Sequence, residues 1–211
     1  MKRLKSILNG TNAEVFKTLL LYYKPPPATI IDVTCGHKHF WTLLNPMINT
    51  ATLDGRGSYK VVFSDIRPIG DIQADYRKIL DLYPELEGRF DVVVYDPPYT
   101  EVSIVVNGYK RWNPSERYAT NQFEGDTALT EDHIRAFIKQ AYRLLKSDGI
   151  VIAKLQDTVN WWHFTFYNNI KPFKLEALYI QNLGQNWAEH VEVRGVKKPI
   201  PIHAYWFILT K

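Results

Sequence analysis

The run Phe90-Asp91-Val92-Val93-Val94-Tyr95 stops abruptly at Asp96-Pro97-Pro98. A strand that is apolar on both faces survives in water only inside a sheet covered on both sides, which is the habit of parallel sheets wrapped by helices. The prolines cannot continue a ladder, and they push the residue before them into extended geometry, so this strand ends at Asp96. Thr29–Val33, Lys60–Asp65, Asp71–Asp75, Gly149–Leu155, Leu175–Gln181 and His203–Leu209 read as further strands. Helical spacing falls between them, at Thr11–Tyr23 with Asn12 as a cap, His37–Leu44, Tyr76–Leu82, Thr130–Leu145 and Trp161–Asn169. Strands alternating with helices predict an α/β chain with a mostly parallel, seven-stranded sheet and helices on both faces.

The 211 residues suit a single domain, 1–211, opening with a helix at 11–24 that Pro25-Pro26-Pro27 ends. Apolar residues make up 45% of the chain, enough for a sizeable core. No apolar run approaches the roughly 18 residues of a membrane span, and no signal peptide is read at the N-terminus. The one cysteine, Cys35, allows neither an internal disulfide nor a cysteine-based zinc site, and a cytoplasmic location is expected. His37, His39 and His133 lack a convincing third ligand, so no metal is expected. A net charge of +4 permits a polyanionic partner without requiring one.

In parallel sheets, ligands gather at the carboxyl ends of the strands. The first strand ends in Asp32-Val33-Thr34-Cys35-Gly36, a glycine turn that can bring backbone amides to a ligand. Asp65 ends the second strand, where a carboxylate can accept both hydrogen bonds of a ribose diol, and Asp75 ends the third, where it can accept one from an adenine amino group. Taken singly, the glycine turn fits an ordinary strand-to-helix turn equally well, Asp65 reads better as a solvated strand end, and Asp75 reads better as a helix cap. Asp96-Pro97-Pro98-Tyr99 is more specific: at about 5% per residue, four fixed residues arise by chance in such a chain roughly once in a thousand. An exocyclic amino group on a base is a poor nucleophile because its lone pair is delocalised into the ring. Asp96 and the Pro97 carbonyl can each accept one of its N–H bonds, favouring a pyramidal nitrogen, while Tyr99 stacks on the base.

Asp96-Pro97-Pro98-Tyr99 resembles the catalytic motif of class I, Rossmann-like amino-methyltransferases, which include the N6-adenine and N4-cytosine DNA methylases and RNA methylases acting on adenine or the guanine 2-amino group. Asp32-Val33-Thr34-Cys35-Gly36 before Phe40-Trp41, and the closing His203-Ala204-Tyr205-Trp206-Phe207, are similar to the cofactor motif and last strand of some of these DNA methylases. The resemblance implies S-adenosylmethionine as cofactor, with Asp32, Thr34 and Gly36 at its methionine end, Asp65 at the ribose and Asp75 at the adenine. Catalysis would fall to Asp96, Pro97, Pro98 and Tyr99. The family usually carries a second glycine where this chain has Lys38.

The stretch 100–129 is expected to be a substrate-facing insertion loop. Within it Lys110, Arg111, Trp112, Arg117 and Tyr118 interleave charge with flat rings, a pattern suited to phosphate contact and base stacking. Arg194, Lys197 and Lys198 form a second basic segment. Three readings follow: a DNA adenine-N6 methylase, an RNA amino-methyltransferase sharing the same catalytic residues, and an inactive nucleic-acid-binding protein of this fold, which Lys38 motivates.

Overall fold

The computed structural model describes residues 4–48, 58–98, 103–106, 109–112, 129–157, 161–182, 190–193, 196–198 and 203–211. The chain opens with a short strand, β1 (Ile7–Asn9), and a helix, α1 (Asn12–Tyr23). The expected cap, Asn12, is instead the first helical residue, and Thr11 caps the helix. Its hydroxyl accepts from the Glu14 amide while the Glu14 carboxylate reaches back to the Thr11 amide, a reciprocal capping box.

Strands β2 (Ala28–Asp32), β3 (Tyr59–Asp65), β4 (Ile72–Gln73), β5 (Phe90–Tyr95) and β8 (Leu145–Gln156) lie parallel in the order β4-β3-β2-β5-β8. Beyond β8 comes β12 (His203–Thr210), antiparallel to β8 and to its other neighbour, β9 (Lys174–Asn182). The short β1 closes that edge, parallel to β9. The main sheet therefore has eight strands rather than the expected seven, and β1 is too short to carry a readable pattern. The Rossmann-like expectation holds, with the chain's final strand inserted antiparallel into a parallel frame.

Both faces are covered. On one side α1 buries Val15, Phe16, Leu19 and Leu20 against the sheet together with Trp41 and Trp206. On the other, α2 (Ile79–Leu82), α3 (Glu131–Leu144) and α4 (Trp162–Asn168) bury Ile79, Ile134, Phe137 and Phe166. Thr130 caps α3, its hydroxyl accepting from the His133 amide.

The helix expected at His37–Leu44 is not formed. Two short 3-10 turns, His39–Trp41 and Asn45–Met47, replace it. Lys38 takes left-handed backbone angles, φ 59° and ψ 30°, which break helical propagation at its start, and Pro46 offers no amide at its end. The Trp41 indole donates to Asp32 at 2.8 Å, pinning the turn to the end of β2.

A second, four-stranded sheet runs β11-β10-β6-β7, built from β6 (Ser103–Val106), β7 (Tyr109–Trp112), β10 (His190–Val193) and β11 (Val196–Lys198). The insertion expected as a loop at 100–129 thus contains a hairpin, and its strand β6 pairs antiparallel with β10 from a segment far along the chain. Alternation in these three- and four-residue strands is too short to separate from loop sequence. Both insertions leave the main sheet at one edge, because β5 and β9 end there and the antiparallel β12 starts there.

Candidate active site

The carboxyl ends of β2, β3, β4 and β5 bring Asp32, Thr34, Gly36, Asp65, Asp75 and Asp96 to one edge of the sheet, and hydrogen bonds lace most of them together. The Asp96 amide donates to the Thr34 hydroxyl at 2.8 Å. The Gly36 amide donates to Asp65 Oδ2 at 3.0 Å, and the Cys35 amide to the Ser64 carbonyl at 3.0 Å. The turn after β2 is therefore tied on one side to the motif after β5 and on the other to the end of β3. Gly36 has φ +50°, a left-handed conformation that suits glycine, and a methyl group built there would meet nothing nearer than 3.9 Å. The turn presents open backbone.

Asp32 lies inside this edge. Its carboxylate accepts from the Thr34 amide at 3.1 Å and from the Trp41 indole. Burial pushes its carboxyl up to about 7, outweighing those two hydrogen bonds, with the charges of Asp96 and Asp65 adding to the rise. Cys35 is also buried, and burial pushes its thiol up to about 12, which removes it as a nucleophile at neutral pH.

Asp65 and Asp75 share a local arrangement, each followed two residues later by an arginine that folds back on it. Arg67 donates through its amide at 2.9 Å and through Nε at 3.0 Å to Asp65 Oδ1. Arg77 donates likewise to Asp75 Oδ1, at 2.9 Å and 3.0 Å. Burial alone would raise the Asp75 carboxyl, but the hydrogen bonds and charge of Arg77 outweigh it and hold the group below its ordinary value. Arg77 also meets the ring of His133 on α3 at 2.7 Å. A sugar diol reaching Asp65 has to displace part of the Arg67 contact. The same local turn thus recurs at Asp65-Ile66-Arg67 and Asp75-Tyr76-Arg77, each arginine closing on the aspartate two residues before it.

Asp96 is half-buried, Pro97 buried and Pro98 half-buried. Lys154, from β8, places its ammonium 3.4 Å from Asp96 Oδ1 and 5.8 Å from the centre of the Phe40 ring. Sequence reasoning did not single out Lys154, yet it is the lone cation in the apolar run Ile150–Leu155. A buried lysine needs a partner of opposite charge, and here that partner is Asp96. The ammonium pairs with this carboxylate at an edge that also carries Asp32, Asp65 and Asp75.

Tyr99, Arg117 and Tyr118 fall outside the described residues. Lys110, Arg111 and Trp112 are on β7, an edge strand of the second sheet, and Lys197 and Lys198 are on β11, its opposite edge. Arg194 falls outside the described residues.

No family model matches the chain, and no curated protein matches it in sequence. Its structure is similar to that of TrmN from Thermus thermophilus, with 15% identity and a TM-score of 0.50 over 94% of this chain and 48% of the other. SMU.776, complexed with SAH, shares 11% identity at a TM-score of 0.55, over 94% of this chain and 48% of that one. PH0851 shares 17% identity at 0.53, over 95% and 46%. The chain spans about half the length of these three proteins. At such identities the likeness shows the fold, the Rossmann-like fold of the S-adenosylmethionine-dependent methyltransferases.

Proposed function

We propose that the chain is an S-adenosylmethionine-dependent methyltransferase acting on an exocyclic amino group of a nucleic-acid base, with N6 of adenine in DNA as the first substrate to test. The observation that carries this reading is the 2.8 Å bond from the Asp96 amide to Thr34. It joins the open glycine turn to the Asp-Pro-Pro motif, so a methyl donor seated at the turn and an amine held at the motif would be neighbours. The fold and the SAH-bound likeness of SMU.776 support the cofactor assignment.

The residues fit such a cofactor. Gly36 leaves room beside the turn, while Asp65 and Asp75 stand at successive strand ends with acceptors for sugar and base. Bound there, S-adenosylmethionine supplies an electrophilic methyl group. The protein's share is positioning and charge. Asp96 accepts one N–H of the target amine and the Pro97 carbonyl accepts the other, which aims the nitrogen lone pair and opposes the positive charge that builds on nitrogen. Lys154 holds Asp96 in line. The target base has to leave a duplex stack, or start unpaired, to bring its amino group to Asp96.

Lys38 does not close the turn. Its backbone takes the shape a glycine would take, and its ammonium lies over the Phe63 ring, 4.2 Å from the centre. This favours an active site over an inactive relative. The basic edge strands of the second sheet support a polyanionic partner, since both insertions that build it start at the active-site edge.

The test is transfer of a labelled methyl group to matched DNA and RNA oligonucleotides. Asp96→Ala is expected to lower kcat at least about a hundredfold, the usual loss when one preorganised acceptor or donor is removed. Cofactor affinity by calorimetry should stay close to wild type. Full activity in this variant, or no transfer to either nucleic acid, defeats the proposal.

A further inference from the structure

Just past β8, Asp157 turns into the protein and fixes the side chain of His163 on α4. Its carboxylate accepts from the His163 amide at 3.1 Å and meets the ring at Nδ1. The held imidazole stacks on Tyr205 of β12, with ring centres 4.0 Å apart and planes 14° from parallel. Phe164 lies 4.1 Å from the same ring, and Trp161 lies 6.0 Å from both His163 and Phe164. A cluster of rings thus gathers round the held imidazole, with Trp161 and Phe164 open to solvent.

Its place is informative. The inward face of α4 puts Phe166 in a stack with Tyr95, the residue before Asp96, with centres 6.3 Å apart. Trp161 is 67% exposed and Phe164 56%, and Trp161 is the most exposed large apolar side chain among the described residues. Tyr167, also exposed, continues the outer face of the helix toward a groove between α3 and residues 168–172. Its lining includes Arg135, Lys139, Arg143 and Lys171. Arg135 is paired with Glu131 and Asp132, and Arg143 with Glu87, so the groove's positive charge toward a phosphate rests on Lys139 and Lys171.

Flat rings held open beside an active site, leading to a cationic groove, match the chemistry of an unpaired polynucleotide. Bases offer π-faces only when unstacked, and phosphates follow positive charge. We propose that Trp161 and Phe164 form a platform on which a nucleobase flanking the methylated one stacks, with the strand's phosphates continuing along the groove of Lys139 and Lys171. The Asp157–His163 pair holds the platform in place. This inference rests on the nucleic-acid reading above, and it adds a single-stranded flank as the preferred substrate form.

The test uses the full chain with fluorescent single-stranded DNA and RNA oligonucleotides, read by anisotropy, and methyl transfer to the same oligonucleotides against the free nucleosides. Trp161→Ala and Phe164→Ala are expected to raise Kd and KM for the oligonucleotides roughly tenfold, the usual scale for one lost stacking ring. Nucleoside methylation and S-adenosylmethionine affinity should not change. Leu82→Ala, another exposed apolar residue, serves as control and should alter nothing. If wild type methylates the oligonucleotides and the two variants match it, the platform is wrong while the proposed function stands. Loss of self-association in sedimentation with unchanged oligonucleotide affinity assigns the rings to a protein contact and also overturns the platform. Absence of any binding or transfer to DNA and RNA by wild type removes both proposals together.

Discussion

Two residues at the turn after β2 carry the sharpest local consequences. Lys38 occupies left-handed backbone space, which costs a non-glycine residue roughly 1 kcal/mol, and its ammonium recovers part of that over Phe63. Lys38→Ala keeps the strain and loses the ring contact, so it should destabilise by about 0.5–1 kcal/mol. Lys38→Gly loses the contact but also the strain and should stay near wild type. Urea midpoints rank the three, and an alanine variant as stable as the glycine one contradicts this account. Asp32 sets a pH dependence. Its native carboxyl is raised to about 7, above the unfolded value of 3.8. Between those values the folded protein keeps a proton that the unfolded chain has shed, so this group makes stability fall as pH rises from about 4 to about 7. Asp32→Asn removes that slope, and parallel stability–pH profiles for wild type and variant would show the group to be ordinary. At this scale the sequence exposed the acidic strand ends and the Asp-Pro-Pro motif. It hid the side-chain partners, because Arg67, Arg77, Trp41 and Lys154 meet their aspartates through backbone turns and strand register that no short pattern encodes.

Among the elements, α4 is the one on which site and core meet. Phe166 is fully buried between Tyr95, Phe137 and Phe207, while the opposite face of the same two turns is open to water. Phe166→Ala should cost about 3–5 kcal/mol by chemical denaturation, the range for deleting a buried aromatic ring. It should also lower kcat, since Tyr95 leads directly into Asp96. A loss below 1 kcal/mol would mean that α4 is loosely attached. The long helix α3 and the apolar strands were legible because many residues repeat one period. The segment 37–44 was misread for the opposite reason. Its apolar spacing fits a helix, but one residue with left-handed angles and the pull of Asp32 on Trp41 outweigh a weak local preference.

Across the whole molecule, the two insertions at the edge that carries the candidate site depend on each other, because β6 pairs with β10. Proline at Val191, in the middle of β10 and flanked by strands on both sides, removes a ladder donor. Val191→Pro should weaken oligonucleotide binding while leaving S-adenosylmethionine affinity and the main unfolding transition intact. Unchanged oligonucleotide affinity would exclude the second sheet from substrate binding. Sequence periodicity reached the alternation of strands and helices. The pairing of distant insertions escaped it, since pairing is a relation between segments. The position of β12 between β8 and β9 has a consequence in time. A ribosome makes this strand after every other strand of the main sheet, so the emerging chain holds two unfinished sheet edges apart until residues 203–210 arrive to join them. The newborn protein should need chaperone protection longest at that slot, and the sheet that carries the candidate site is complete only after residues 203–210 have zipped in.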